Sequence, residues 1–241
     1  MSRALVIPCD QSYLPGLKTL LKSIEITNPN HKADIVIISD DIDSVPGCKI
    51  IRPCLSSYVG IDTSSFPVAA WFFFEALKLD YDHVILAGAD QLIVNRWPLL
   101  YDELPSFGAI PEWGVVPPKQ YKDTFMAFCS GSLVIEPSLD VYNNLITIAK
   151  RGFRGDQDVF NEWAFLNETS PVEFPYWYDT SKRWFVAWKD KWNESRDSIA
   201  SVHFVGKDKP WMDNEDKRYS ELNNVWRSYA SGTPIPLPEA V

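Results

Sequence analysis

The 241-residue sequence has little of what most quickly assigns a protein to a class. It contains no run of about 18 apolar residues, which excludes a spanning helix. Its four cysteines, Cys9, Cys48, Cys54 and Cys129, lack paired zinc-type spacing, so reduced thiols are expected rather than a disulfide framework or a structural zinc site. The glycine fingerprints of dinucleotide and P-loop sites are missing. Any nucleotide must therefore be held by side chains. Positive charge is also short, with 23 basic against 32 acidic residues and a net charge of −9, which disfavours broad contact with nucleic acid or an anionic membrane. No internal repeat and no linker stands out.

What is present is an ordinary globular composition, 46% hydrophobic and 23% charged, rich in aromatics: ten Trp, ten Tyr and thirteen Phe. Met1-Ser2-Arg3 passes directly into Ala4-Leu5-Val6-Ile7 and then Pro8-Cys9-Asp10, without a cleavage-site pattern. A first strand rather than a signal peptide is expected, and with it a cytoplasmic location. Leu14, Leu17, Leu21 and Ile24 fall at helical spacing, giving a helix from Ser12 to about Thr27. Asp34 to Ser39 reads as a second buried strand and Cys48 to Arg52 as a short third. Val68 to Leu79, with Trp71, Phe72, Phe73 and Phe74, reads as a helix packing on the sheet, with a strand as the alternative for the three consecutive phenylalanines.

The stretch from His83 to Val94 organises the rest. Two apolar runs, Val84 to Ala87 and Leu92 to Val94, flank a small polar break, so a buried strand ends at Gly88 and places Asp90 at its carboxyl edge. In an open α/β sheet that edge is where ligands bind. Beyond it, Phe107 to Ile110 and Ser130 to Ile135 are strand-like, separated by a Pro/Gly/aromatic loop around Glu112 to Phe125 long enough to serve an acceptor. Ser138 caps a helix carrying Leu139, Tyr142, Leu145, Ile146 and Ala149. Gly155-Asp156-Gln157-Asp158 opens another. The segment from Phe174 to Trp192 is aromatic and irregular, Ala200 to Phe204 reads as a last strand, and Asn214 to Tyr229 as a helix. Strands alternating with helices argue for a doubly wound, parallel α/β sheet.

Five stretches, in order along nearly the whole chain, resemble glycosyltransferase family 8, the glycogenin and bacterial galactosyltransferase group. They are Asp10-Gln11-Ser12-Tyr13; the central stretch with Asp90; Phe128-Cys129-Ser130-Gly131 running to Pro137-Ser138; Gly155-Asp156-Gln157-Asp158 with Asn161; and His203-Phe204-Val205-Gly206 with Lys209-Pro210-Trp211. The resemblance implies the GT-A fold: a mostly parallel central sheet flanked by helices with a Rossmann-like N-terminal half. It implies a single domain, with a nucleotide-binding half over about 1–95, a sugar and acceptor half over about 96–230 and a Pro-rich tail at 231–241.

It also implies transfer of a hexose from a UDP-sugar with retained configuration. Asp156 would face the donor sugar, with Asp158 second and Gln157 bonding sugar hydroxyls. Asp10, Tyr13, Ala89, Asp90, Ser130, Gly131, Gly206 and Lys209 would hold the nucleotide sugar, Lys209 on the diphosphate. Asp90 and His203 would hold Mn²⁺ or Mg²⁺, the hard cation that neutralises a leaving diphosphate. The chain departs from the family pattern at Gly88, where a metal-binding Asp usually stands, at Cys129 in place of a sugar-contacting Asn, and near Trp71 in place of a Lys or Arg. Those departures motivate a second reading, a catalytically weakened sugar-nucleotide-binding protein or partner subunit, and an alternative in which Lys209, with Lys207, carries the charge without metal. A nucleotidyltransferase is disfavoured, because the first loop is neither glycine-rich nor basic. The acceptor, whether glycan, protein, lipid or modified base, is not encoded legibly.

Overall fold

The structure, a computed structural model, describes residues 1–64, 68–112, 127–213 and 215–241. The acceptor loop expected after Glu112 thus lies outside the described residues, as does Asn214. In chain order come β1 (Arg3–Pro8), α1 (Leu14–Thr27), β2 (Asp34–Ile38), β3 (Lys49–Ile51), β4 (His83–Ala87), β5 (Gln91–Ile93), β6 (Phe107–Pro111) and β7 (Phe128–Ile135). Then follow α2 (Leu139–Ala149), α3 (Asp156–Leu166), β8 (Val172–Glu173), β9 (Thr180–Ser181), α4 (Trp184–Ala187), α5 (Lys189–Ser195), β10 (Ser201–His203) and α6 (Ser220–Ser231). Among the described residues no helix is long and apolar enough to cross a membrane, and all four cysteines are free.

The chain forms two compact units, each assembled from separate segments. The first holds Met1–Gln11, Lys32–Ala87 and Asp102–Phe174. Among the described residues its sheet has the order β3-β2-β1-β4-β7-β6-β8. β1 pairs in parallel with β2 and β4, and β2 with β3, while β7 runs antiparallel to β4 and β6. Leu5, Val6, Ile7, Val84, Ile85 and Leu86 are wholly buried, as unbroken apolar runs require of strands covered on both faces.

Val68–Lys78 is neither a regular α-helix nor a strand but a run of 3-10 turns. Trp71, Phe72, Phe73 and Phe74 are consecutive and all buried, so this segment has no solvent face for a periodic stripe to oppose, and core packing decides its path. Phe74 meets Phe160 of α3 edge to face, their centroids 5.4 Å apart. Trp71 is fully buried in this packing. Ser138 caps α2 as expected, its hydroxyl accepting from the Val141 amide at 3.4 Å.

The second unit holds Ser12–His31, Gly88–Tyr101 and Pro175–Val241. Its sheet has the order β5-β10-β9, β5 being antiparallel to β10. The second apolar run of the central stretch therefore does not prolong β4: after Ala87 the chain turns, the Gln91 amide donating to the Gly88 carbonyl at 3.1 Å, and enters a different sheet. This turn delivers Asp90 to the head of β5. The helix expected from Asn214 begins instead at Ser220, after a 3-10 turn over Lys217–Tyr219. α6 ends at Gly232 with φ +80°, the left-handed cap that glycine takes without strain.

Gly16, on α1, explains how the helix settles in this unit. A Cβ there would lie 2.6 Å from the Ala89 carbonyl oxygen and 2.6 Å from the Trp211 ring. The bare glycine thus lets α1 touch both. Gly16→Ala is expected to lower stability by about 1–3 kcal/mol from overpacking, against the ~1 kcal/mol that alanine ordinarily gains over glycine in a helix. A urea midpoint at or above that of the wild type would refute this packing.

Candidate functional site

In the second unit, four charged side chains from distant positions converge. Asp90 stands at the head of β5; His203 ends the antiparallel partner β10; Asp179 precedes β9, which pairs with β10 on its other side. Lys209 follows the loop after β10. The Asp90 Oδ1 lies 3.2 Å from the His203 Nε2, and the Asp179 Oδ2 lies 3.1 Å from the His203 Nδ1. The Lys209 ammonium closes on the Asp90 Oδ2 and also donates to the Phe204 carbonyl at 2.7 Å. Its Nζ lies 5.3 Å from the centroid of the Tyr13 ring, which meets Trp211 edge to face at 5.6 Å.

The charges in this cluster set one another. Burial, the largest influence on His203, opposes its charge, but the carboxylates of Asp179 and Asp90 outweigh it and hold the imidazole well above its ordinary value. Burial likewise pushes the Asp90 carboxyl up, and the His203 and Lys209 cations together bring it well below the usual range. Lys209 is 2% exposed. The Asp90 carboxylate faces it there.

The loop between β10 and Lys209 has its own anchor. The Lys182 ammonium donates at 2.6 Å both to the Asp208 carbonyl and to its carboxylate. Gly206 sits there with φ +93°, a conformation suited to glycine, and a Cβ would come 3.3 Å from the Asp208 carboxylate.

The donor set admits a divalent cation in minimal form. Asp90 Oδ1 and His203 Nε2 offer one oxygen and one nitrogen at the separation of adjacent ligands about one ion with bonds of roughly 2.1–2.2 Å. Asp179, on the far ring nitrogen, occupies the position of the carboxylate that orients a metal-bound histidine. Position 88 adds no ligand. A Cβ on Gly88 would lie 2.6 Å from the Asp90 Oδ1 and 3.4 Å from the His203 Nε2, so Asp90 already fills the space a side chain would enter.

The first unit carries the remaining expected residues. Asp156, Gln157 and Asp158 form the first turn of α3. Asn161 ties this turn to the start of β7: its amide nitrogen donates to the Phe128 and Gln157 carbonyls at 2.9 and 2.8 Å, and its Oδ1 accepts from the Phe128 amide at 2.9 Å. Burial pushes the Asp156 carboxyl up to about 6, against the pull of the Ser130 hydroxyl and the backbone amides of the turn. Among the described residues its Oδ2 has no hydrogen-bond partner. Burial also raises Asp158. Ser130 and Gly131 lie on β7, and Asp10 follows β1, where the neighbouring Gln11 amide donates to the Asp41 carboxylate at 3.1 Å.

No family model matches the chain. It is similar to a glycogenin of Neurospora crassa, 22% identical over 90% of this chain and 33% of that protein. It is similar also to glycogenin-1 of Mus musculus, 25% identical over 65% of this chain and 50% of that one. The chain thus spans a third to a half of the length of these relatives. Among solved structures it superposes on an active-site mutant of LgtC with a TM-score of 0.76, 15% identity and 98% coverage of both chains. The galactosyltransferase LgtC in complex with donor and acceptor sugar analogs gives 0.75, with 18% identity and 98% coverage of both. The chain has the GT-A fold. The glycosyltransferase GlyE of Streptococcus pneumoniae shares it at a TM-score of 0.67, 18% identity, and coverage of 98% of this chain and 66% of that one. Sequence relatives and structural neighbours alike are glycosyltransferases, in keeping with the family 8 resemblance of the motifs.

Within this GT-A fold three contributors escape sequence reading. Asp179 lies in the aromatic segment without a motif around it, Lys182 stands three residues on beside Arg183, and Glu112 directly follows β6. Glu112 accepts a hydrogen bond of 2.7 Å from the Gln157 Nε2. No local pattern marks any of them.

Proposed function

We propose that the chain is a retaining glycosyltransferase that moves a hexose from a UDP-sugar to an acceptor, and that it works in the cytoplasm, a setting its free cysteines fit. The observation that carries this reading is the convergence of His203 and Lys209 on Asp90. Transfer from a nucleotide sugar releases a diphosphate, whose growing negative charge needs preset positive charge in a dry cleft. Lys209 supplies it: diphosphate oxygens compete with Asp90 for an ammonium already held by the Phe204 carbonyl. Asp90 and His203 would hold Mn²⁺ or Mg²⁺, which when bound adds Lewis-acid stabilisation of the leaving group.

Uridine is assigned to Asp10 and Tyr13, with Ala89 and Gly206 as close backbone neighbours of the nucleotide. On the sugar, the unpartnered Asp156 Oδ2 accepts from a hydroxyl, Gln157 and Asp158 line the same helix start, and Ser130 and Gly131 present β7. The two carboxylates at one helix start suit an oxocarbenium-like transition state, which carries positive charge at the anomeric centre.

Calorimetric titration of UDP with and without Mn²⁺ tests the assignment. Binding is expected to tighten about tenfold or more with Mn²⁺, and His203→Ala to remove that gain. UDP affinity independent of Mn²⁺ would leave either a metal-independent mechanism, with Lys209 and Lys207 carrying the charge, or the weakened-binder reading motivated by Gly88 and Cys129, and a donor-hydrolysis assay then chooses between them. Absence of UDP binding in both conditions would overturn the proposal.

A further inference from the structure

We infer that Glu112 is the positioning residue of Gln157: its carboxylate fixes the Gln157 amide so that the side-chain carbonyl, not the amine, is presented to the donor sugar. The inference rests on the proposed glycosyltransferase reading for its purpose, and on the first unit alone for its geometry.

Both partners are rooted in rigid elements. Glu112 follows β6 directly, and its backbone amide donates to the Ala127 carbonyl at 2.8 Å, keeping it in register beside β7. Gln157 lies in the first turn of α3; Asn161 makes two hydrogen bonds to the Phe128 backbone and donates a third to the Gln157 carbonyl, which ties the turn to the start of β7. The 2.7 Å contact between the Gln157 Nε2 and the Glu112 Oε2 therefore joins two anchored points rather than two free side chains.

The chemistry of the pair decides the amide's orientation. An ionised carboxylate only accepts, so the group facing Glu112 must be the NH₂, and the carbonyl oxygen must turn away. A glutamine amide without such a partner is ambiguous by half a turn. The orientation matters for the reaction. A carbonyl oxygen accepts from sugar hydroxyls and carries partial negative charge suited to a developing oxocarbenium centre; an NH₂ in its place would donate and present positive charge. The negative Glu112 also polarises the amide, adding electron density to that oxygen. Beside the unpartnered Asp156 Oδ2, the first turn of α3 then offers two acceptors.

Two measurements test this on the intact protein. In ¹⁵N-edited spectra the Gln157 side-chain amide, assigned by its loss in Gln157→Ala, is expected to carry one downfield, slowly exchanging proton. Glu112→Gln and Glu112→Ala should return it to the ordinary range, while Asp158→Asn should not. Binding of UDP, UDP-glucose and UDP-galactose then reads the purpose. The gain of the better sugar nucleotide over UDP should fall about tenfold in Glu112→Ala and in Gln157→Ala, and no further in the double variant, with UDP affinity unchanged.

A Gln157 resonance indifferent to Glu112, a sugar gain undiminished in Glu112→Ala, or a wild type that binds UDP with no gain from either sugar would overturn the inference. A wild type that binds no UDP at all would overturn the glycosyltransferase reading instead, while the resonance still decides the pairing.

Discussion

Asp90→Ala is expected to lower the unfolding free energy by about 3–5 kcal/mol and the melting temperature by roughly 10 °C, because it strips Lys209 and His203 of a shared buried counter-charge. Lys209 keeps the Phe204 carbonyl and the face of Tyr13, and His203 keeps Asp179, but none of these restores a carboxylate to the ammonium. Replacing both ends of the pair, as Asp90→Leu with Lys209→Met, should recover most of the loss, since the cost lies in the orphaned cation rather than in the missing bond. UDP affinity should fall in both variants.

The pH window of this stabilisation follows from the two shifts. Asp90 is depressed below 3.8, so its contribution is present above about pH 4 and lost as pH falls through the folded value; His203 is raised above 6.5, so its contribution is complete below about pH 6.5 and lost as pH rises through its folded value. The difference between wild type and Asp90→Ala should therefore be largest between about pH 4 and 6.5. A melting temperature within a degree of wild type across that window would refute the cluster's role.

Asp156→Asn is expected to do the opposite to stability while crippling turnover. The carboxyl is raised from 3.8 to about 6, so the native state holds its proton more tightly than the unfolded chain, and stability declines as pH rises from about 4 to 6. Above pH 6 the ionised, buried carboxylate costs on the order of 2 kcal/mol, which a neutral isostere avoids. Asp156→Asn should thus be more stable than wild type by about 1–3 kcal/mol at pH 8 and equal to it below pH 4. Donor hydrolysis or transfer should drop by roughly 100-fold or more, from loss of the acceptor proposed to face the donor sugar. Urea unfolding at the two pH values, beside a donor-turnover assay, checks both arms. Unchanged stability at pH 8 would show that Oδ2 is better satisfied than its surroundings indicate.

The two substitutions contrast because the two carboxylates are buried differently. Asp90 is buried among cations, which makes its charge structural; Asp156 turns its Oδ2 inward with no cation beside it among the described residues, which makes its charge a cost retained at a helix start where a ligand hydroxyl would relieve it.

Much of this was legible from residue order. Unbroken apolar runs marked β1, β2 and β4 as strands of a covered parallel sheet, Ser138 marked the start of α2, and Gly155 through Asp158 the start of α3, because such signals act over a few neighbouring residues. The motifs around Asp90, Asp156, His203 and Lys209 were visible too, through resemblance rather than through periodicity.

Tertiary structure alone decided what those residues meet. Leu92 to Val94 leaves the β4 line for a second sheet because β10 offers it an antiparallel partner, and the aromatic run at 71–74 winds as 3-10 turns because it is enclosed on every side. Asp179 reaches His203 across 24 positions, Glu112 reaches Gln157 across 45, and Lys209 reaches Asp90 across 119. A pattern of period two or 3.6 carries nothing over such separations. Side chains that set another group's charge or orientation from that distance become identifiable only once the sheets have brought their strands together.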